Sequence, residues 1–181
     1  MEADLVIRAQ RGDKGAYALI AAEIADRFLA ISRRILRDLD LAEDATQQAL
    51  LSIWQDLPQL RDPSRFEAWS YRVLVRACYA EGSRQRRWAP NLRLMPDGDA
   101  VADDDLSSVV DRDQLERGFR RLSLDHRTVV VLHHYLDLPL ERVAEIVGIP
   151  TGTAHSRLHH AMRALRAALD ADLRPASSEV V

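Results

Sequence analysis

Between Pro139 and Arg166 an apolar helical pattern breaks once, at Gly148-Ile149-Pro150, and then resumes. Few folds accommodate that break. Before it, Val143, Ala144 and Val147 define an inner face, and Ala144 is small enough to let a second helix pack close. Gly148 falls where a tight turn needs positive φ. Ile149 is an apolar plug, Pro150 is preset for a helix start, and Thr151 or Thr153 can cap the next helix. After the break, Ala154, Leu158, Ala161, Leu165 and Leu169 recur at i, i+4, i+7, i+11 and i+15. This is a helix-turn-helix pattern. The second helix of such a unit lies in a major groove with its N-terminal residues at base edges. Here those residues are His155, Ser156, Arg157, His159 and His160, and the Thr151 and Thr153 hydroxyls at the helix start suit a phosphate. An αα-hairpin with no DNA role has the same periodicity and stays open as an alternative. His155 and His159 stand at i, i+4, but no cysteine or carboxylate shares that face, so no metal site and no cofactor are expected.

The rest of the chain is also helical by pattern. In 43–57 the apolar residues Ala45, Ala49, Leu50, Ile53, Trp54 and Leu57 follow a helical stripe and not a strand alternation. Phe66, Trp69, Val73, Ala77 and Ala80 do the same in 66–81, after a start signal at Pro63-Ser64. Residues 4–11, 14–28, 29–37, 112–121, 125–136, 140–147 and 151–170 complete the helices, with Gly12-Asp13 as a break. The fold class is all-α, in two small helical domains. Pro90, Asn91, Pro96, Asp97, Gly98 and Asp103-Asp104-Asp105 interrupt all periodicity between them. The domains expected are 1–87 and 111–170, joined by an acidic linker over 88–110 and followed by a frayed tail over 171–181. Of the chain's 25 Lys+Arg and 28 Asp+Glu, residues 88–114 hold only two of the first and seven of the second. The flanks are each close to neutral, so nucleic-acid binding has to be argued from local stripes and not from bulk charge.

Two such stripes stand out. On helix 66–81, Arg65, Arg72, Arg76, Tyr79 and Ser83 align within roughly 60°, with Trp69 at the border and Arg84, Arg86, Arg87 and Trp88 at the exit. Arginines interleaved with aromatics suit single-stranded DNA: charge for the backbone, rings for unstacked bases. An ordinary solvated cationic face fits the pattern equally. On helix 43–57, Asp44, Gln47, Gln48, Leu51 and Gln55 form a polar stripe around an exposed leucine, which suits a protein partner. An ordinary solvent face again remains open. No P-loop, GxGxxG or nucleophile motif is present, so no enzymatic activity is expected. Cys78 is the only cysteine in 181 residues. It reads as a small buried hydrophobe, and the absence of a disulfide framework suggests a reducing compartment. With no signal-peptide pattern and no apolar run of about 18 residues, the default location is the cytoplasm, with no membrane contact.

Gly12-Asp13 with Ala16-Tyr17, Asp40-Leu41-Ala42-Glu43-Asp44-Ala45-Thr46-Gln47-Gln48 with Trp54, and Phe66-Glu67-Ala68-Trp69 resemble region 2 of the extracytoplasmic-function sigma factors. Leu122 to His134, followed by Ile149-Pro150-Thr151-Gly152-Thr153-Ala154-His155-Ser156-Arg157-Leu158, resembles region 4. The resemblance implies a bacterial initiation factor. Its partners would be core RNA polymerase (the β′ clamp helices and the β flap), promoter DNA and an anti-sigma factor. The helix carrying Asp44, Gln47 and Gln48 would dock on the clamp helices, the 65–88 face would hold the −10 element and the melted strand, and the helix after Pro150 would read the −35 element. The acidic linker would thread the polymerase towards the RNA exit path. The chain departs from the family at Arg76, where Asn is common, and at Ala80, where Asp is common. It also carries His155, His159 and His160 where Arg, Lys or an aromatic is usual. That implies weak −35 binding that strengthens below about pH 6.5, where imidazole gains its charge.

Overall fold

The computed structural model describes residues 3–88 and 116–172, and every described element is helical or turn. Helices α1 (Ala3–Gln10), α2 (Lys14–Leu36), α3 (Leu39–Asp56) and α4 (Phe66–Trp88) form the N-terminal module. Helical residues 116–121 (α5), α6 (Leu124–Val130) with a π-helical turn at Val131–Tyr135, α7 (Leu140–Val147) and α8 (Thr151–Asp172) form the C-terminal one. The expected linker from residue 89 on and the tail from residue 173 on lie outside the described residues.

Local chemistry sets most boundaries. Gly12 turns at φ 89°, and Asp13 caps α2 by accepting from the Ala16 N–H at 3.0 Å while pairing with Arg8 at 2.7 Å. The Ala16 hydrogen bond, ahead of Arg8, holds the Asp13 carboxyl below its usual range. Asp38 caps α3 through the Leu41 N–H, and Ser123 caps α6 through the His126 N–H. Two expectations are corrected here. Residues 14–28 and 29–37 are one helix, because Ile20, Ile24, Phe28, Ile31 and Ile35 run as one buried stripe with no turn residue between them. Neither threonine caps α8. Thr151 is already inside the helix, and the Pro150 carbonyl accepts from the Thr153 and Ala154 N–H groups at 2.9 and 3.1 Å.

The core-facing side of α4 also differs from expectation. Phe66 and Ala77 are buried, but Trp69 and Val73 are only half-buried and Ala80 is exposed. The buried row is Tyr71, Leu74, Val75 and Cys78, because α4 packs between α2, α3 and the C-terminal module and so is covered on more than one side. Likewise Ile146 is buried together with the expected Val143 and Ala144, while Val147 is half-buried. Helix α7 is sandwiched between α8 and α4. Val129, Val131, Leu132, Val143 and Ile146 belong to the same apolar cluster as α1–α4, so the two modules share a core. A smaller cluster of Leu122, Val130, Ala161 and Leu165 ties α8 to α6.

Burial pushes the Cys78 thiol up to about 11, with its sulfur 3.5 Å from the Ser32 hydroxyl. A folded-state value above the unfolded one means that ionising the thiol favours unfolding. The native protein is therefore expected to lose thermal stability as pH rises above about 9, and to resist thiol reagents at pH 8 until denatured. Stoichiometric labelling of the native chain within minutes would contradict this.

Candidate nucleic-acid and protein interfaces

Every residue of the α3 stripe is exposed: Asp44, Gln47, Gln48, Leu51 and Gln55, with Leu51 at 49%. Beside it lies a groove of about 680 Å³ between the outer sides of α2 and α3. Its floor is apolar, made by Tyr17, Ala21, Ala25 and Leu29 from α2 and by Leu50, Leu51 and Trp54 from α3. Lys14, Asp26, Glu43 and Gln47 complete its lining with polar groups. Tyr17 is fixed there because its hydroxyl donates to the Leu50 carbonyl and its ring tilts against Trp54 at 4.7 Å. The sequence reading missed this groove. Its trace was a second row on α2, Tyr17-Ala21-Ala25-Leu29 at i+4 steps, next to the buried isoleucines. Small residues there leave room above the backbone.

The α4 stripe is not an open face. Arg65 and Arg72 both reach Glu145 of α7, whose Oε1 accepts from their Nη2 atoms at 2.5 and 3.5 Å. Arg142 holds the other oxygen of the same carboxylate at 2.6 Å. The Arg142 hydrogen bond first, then the three arginine charges, keep the Glu145 carboxyl below its usual range. The contact is therefore complete above the ordinary carboxylate pKa and is lost as pH falls through the lowered one. Tyr79 lies against Asp125 and Thr128, and burial pushes its hydroxyl up to about 12. Trp69 is half-buried with its ring 6.1 Å from Phe66. Arg76 and Arg87 are exposed, and Arg86 donates to the Ser83 hydroxyl within its own helix. Arg84, grouped by sequence with the α4 face, pairs with Asp44 of the α3 stripe at 3.1 Å and with Glu81 at 3.0 Å. The two stripes thus meet at one edge. The Trp88 side chain lies outside the described residues.

In the C-terminal module, Gly148 turns at φ 78° and its N–H returns to the Ala144 carbonyl at 2.8 Å. Ala154 and Ala161 are fully buried beneath α8. Thr151, His155, Ser156, His159 and His160 are exposed and Thr153 is half-buried. The Ser156 hydroxyl donates back to the Thr153 carbonyl at 3.0 Å. Arg157 is corrected from its expected outward position. It folds back to Asp125 of α6 at 3.1 Å, with its side chain 24% exposed. His126 sits near His160, and burial first, then the His160 charge, holds its imidazole below the usual value. Among the described residues no group of three metal-ligating side chains converges.

A helix-turn-helix seated on a helical bundle, with a basic and aromatic helix running beneath it, defines a two-module nucleic-acid-binding architecture. The sigma-70 region 2 profile matches residues 21–88 and the sigma-70 region 4 profile matches residues 112–165. The RNA polymerase sigma-H factor of Pseudomonas aeruginosa is 29% identical over 190 residues, covering 95% of each chain. The sigma-E factor of Streptomyces avermitilis is 30% identical, covering 80% of each. The extracytoplasmic-function (ECF) factor SigW of Bacillus subtilis is 27% identical, covering 87% of this chain and 90% of its own. Two solved structures share the fold. CnrH, in complex with the cytosolic domain of CnrY, has a TM-score of 0.66 at 22% identity, over 94% of this chain and 97% of its own. The sigma factor RpoE of Bartonella quintana, in complex with the anti-sigma factor NepR, has a TM-score of 0.69 at 20% identity, over 86% and 98%. The chain belongs to the ECF group of the sigma-70 family, the RNA polymerase sigma factors that direct initiation at specific promoters.

Proposed function

We propose that this sigma factor divides its work among three surfaces within residues 1–87 and 111–170. The α3 stripe and the α2–α3 groove dock on core polymerase, at the β′ clamp helices. The α4 face, from Arg65 through Trp69, Arg72, Arg76 and Tyr79 to Arg87, holds the −10 element and its melted strand. The exposed start of α8 reads the −35 element. The linker of about 20 residues lets both elements be engaged together. The protein works in the cytoplasm, performs no chemistry of its own, and is held in check by an anti-sigma factor, as the partners of the solved relatives suggest.

The observation that carries this reading is the pairing of an exposed, weakly charged stripe with an apolar groove on α2–α3. Surfaces of that kind, with a rigid aromatic floor and a rim of amides, are what protein partners bury. The test is co-elution with core polymerase. Gln47→Ala/Gln48→Ala is expected to weaken binding about tenfold while leaving the melting temperature unchanged. Equal co-elution of the double variant would overturn the docking assignment. Wild-type binding to duplex DNA with no binding to polymerase would make the protein an autonomous regulator instead.

The imidazoles of α8 give a second expected outcome. His155, His159 and His160 are exposed near the start of the helix, so replacing all three with alanine is expected to weaken affinity for a −35 duplex. Unchanged affinity in fluorescence anisotropy would remove His155, His159 and His160 from the DNA contacts.

A further inference from the structure

Three arginines from three helices meet at one rim of the molecule. A Cβ added at Gly82 of α4 would stand 3.0 Å from the Leu124 side chain of α6 and 3.6 Å from the Leu36 side chain of α2, so the three backbones converge there. Arg37 follows Leu36, Arg86 lies one turn beyond Gly82, and Arg127 lies three positions beyond Leu124 on the same side of α6. Arg37 ends α2 with a left-handed backbone, φ 62°, and pairs with Glu116. Arg86 is exposed. The Nε atoms of Arg37 and Arg127 are sealed from solvent and unbonded, and the Arg127 guanidinium has no partner among the described residues. Burial first, then the Arg37 and Arg86 charges, push Arg127 down to about 10, and no carboxylate of the described residues acts in the other direction. Asp38, next to Arg37, turns to α3, where it caps the Leu41 N–H and receives the Gln85 amide at 3.3 Å.

We propose that the rim formed by Arg37, Arg86 and Arg127 is an anion site whose ligand is a phosphate monoester dianion, either inorganic phosphate or the terminal phosphate of a small metabolite. A half-buried guanidinium without a counter-ion is unfavourable, and two like charges beside it add repulsion. Against the three guanidinium groups only Glu116 is paired at the rim among the described residues, which leaves a surplus of positive charge. Planar guanidinium forks grip tetrahedral oxyanions through paired hydrogen bonds. A phosphate monoester carries about −1.5 to −2 near neutral pH and offers three acceptor oxygens, enough to engage all three arginines and to offset that surplus. A backbone phosphodiester carries a single charge and leaves a cation uncompensated. The bound dianion is held by α2, α4 and α6 together, so it stabilises the fold in proportion to its occupancy.

The test titrates the full chain with methyl phosphate and with dimethyl phosphate, at constant ionic strength and well above the second phosphate pKa of about 6. Calorimetry reads affinity and a thermal melt reads stability. Methyl phosphate is expected to raise the melting temperature by about 3–6 °C at a tenfold excess over its Kd. Dimethyl phosphate, a diester with one charge, is expected to bind about tenfold more weakly. Arg127→Gln removes the crowded charge, so its unliganded melting temperature is expected to stay level or rise, while its affinity for methyl phosphate falls about tenfold. Arg86→Gln changes an exposed side chain and is expected to weaken binding about fivefold. Arg11→Gln, exposed just past α1 and away from the rim, is expected to bind as wild type does. Equal shifts in wild type, Arg127→Gln and Arg86→Gln would be the general stabilising effect of phosphate on proteins and would overturn the site. So would an equal loss in Arg11→Gln, which is bulk charge alone. Equal affinity for dimethyl phosphate would overturn the monoester assignment and make the rim a contact for a nucleic-acid backbone.

Discussion

Phe28→Ala is expected to lower the unfolding free energy by about 3–5 kcal/mol. Phe28 is fully buried midway along the α2 stripe, and its ring lies 6.1 Å from Tyr71. Tyr71 is itself held between this contact and the Arg27 guanidinium, 5.4 Å from its centroid. Truncation removes the transfer energy of a benzyl group and leaves a cavity walled by fixed helices. Those walls cannot collapse inward without moving α4, on which the C-terminal module rests. A chain of this size has a total stability of roughly 5–15 kcal/mol, so the variant sits near its threshold. Guanidinium unfolding followed by circular dichroism measures it. The midpoint falls and the slope is unchanged; a loss below about 1 kcal/mol would show that Phe28 is not the centre of the core.

Leu51→Asp is expected to weaken core-polymerase binding about thirtyfold or more, the scale of one interface hot spot. Leu51 lines the groove together with Gln47 and the floor residues Tyr17, Leu50 and Trp54. A carboxylate there joins Asp26 and Glu43 in a lining that holds one lysine, Lys14. A partner that buries the groove must then desolvate a charge where the wild type offers a leucine. Stability should stay within about 0.5 kcal/mol of wild type, because Leu51 is exposed. Surface-immobilised polymerase with the variant in solution gives the measurement. Unchanged affinity would move the docking site off the groove.

The helices were legible because their signals are local. Caps at Asp13 and Asp38, the Gly148 turn and apolar spacing along α8 each involve residues within a few positions of one another. The same locality explains the errors. Periodicity on α4 identified an apolar side from residues such as Trp69 and Val73. The actual buried row was chosen by three neighbours that no local pattern names. The exposed α3 stripe was legible because one face of an amphipathic helix is read from its own composition. The groove beside it was not, since it needs α2 and α3 at a particular separation.

Family membership and the all-α class were therefore present in the sequence itself, carried by motifs whose spacing survives any packing of the helices. Only the tertiary structure decided what those motifs face. Arg65 and Glu145 are 80 positions apart and Arg37 and Glu116 are 79 apart. Nothing in the residues between them encodes either meeting as a pattern. Whether a basic stripe is open to solvent or held by a carboxylate depends on where a second apolar face, here the Ile146 side of α7, finds burial. That choice is made by the whole core at once.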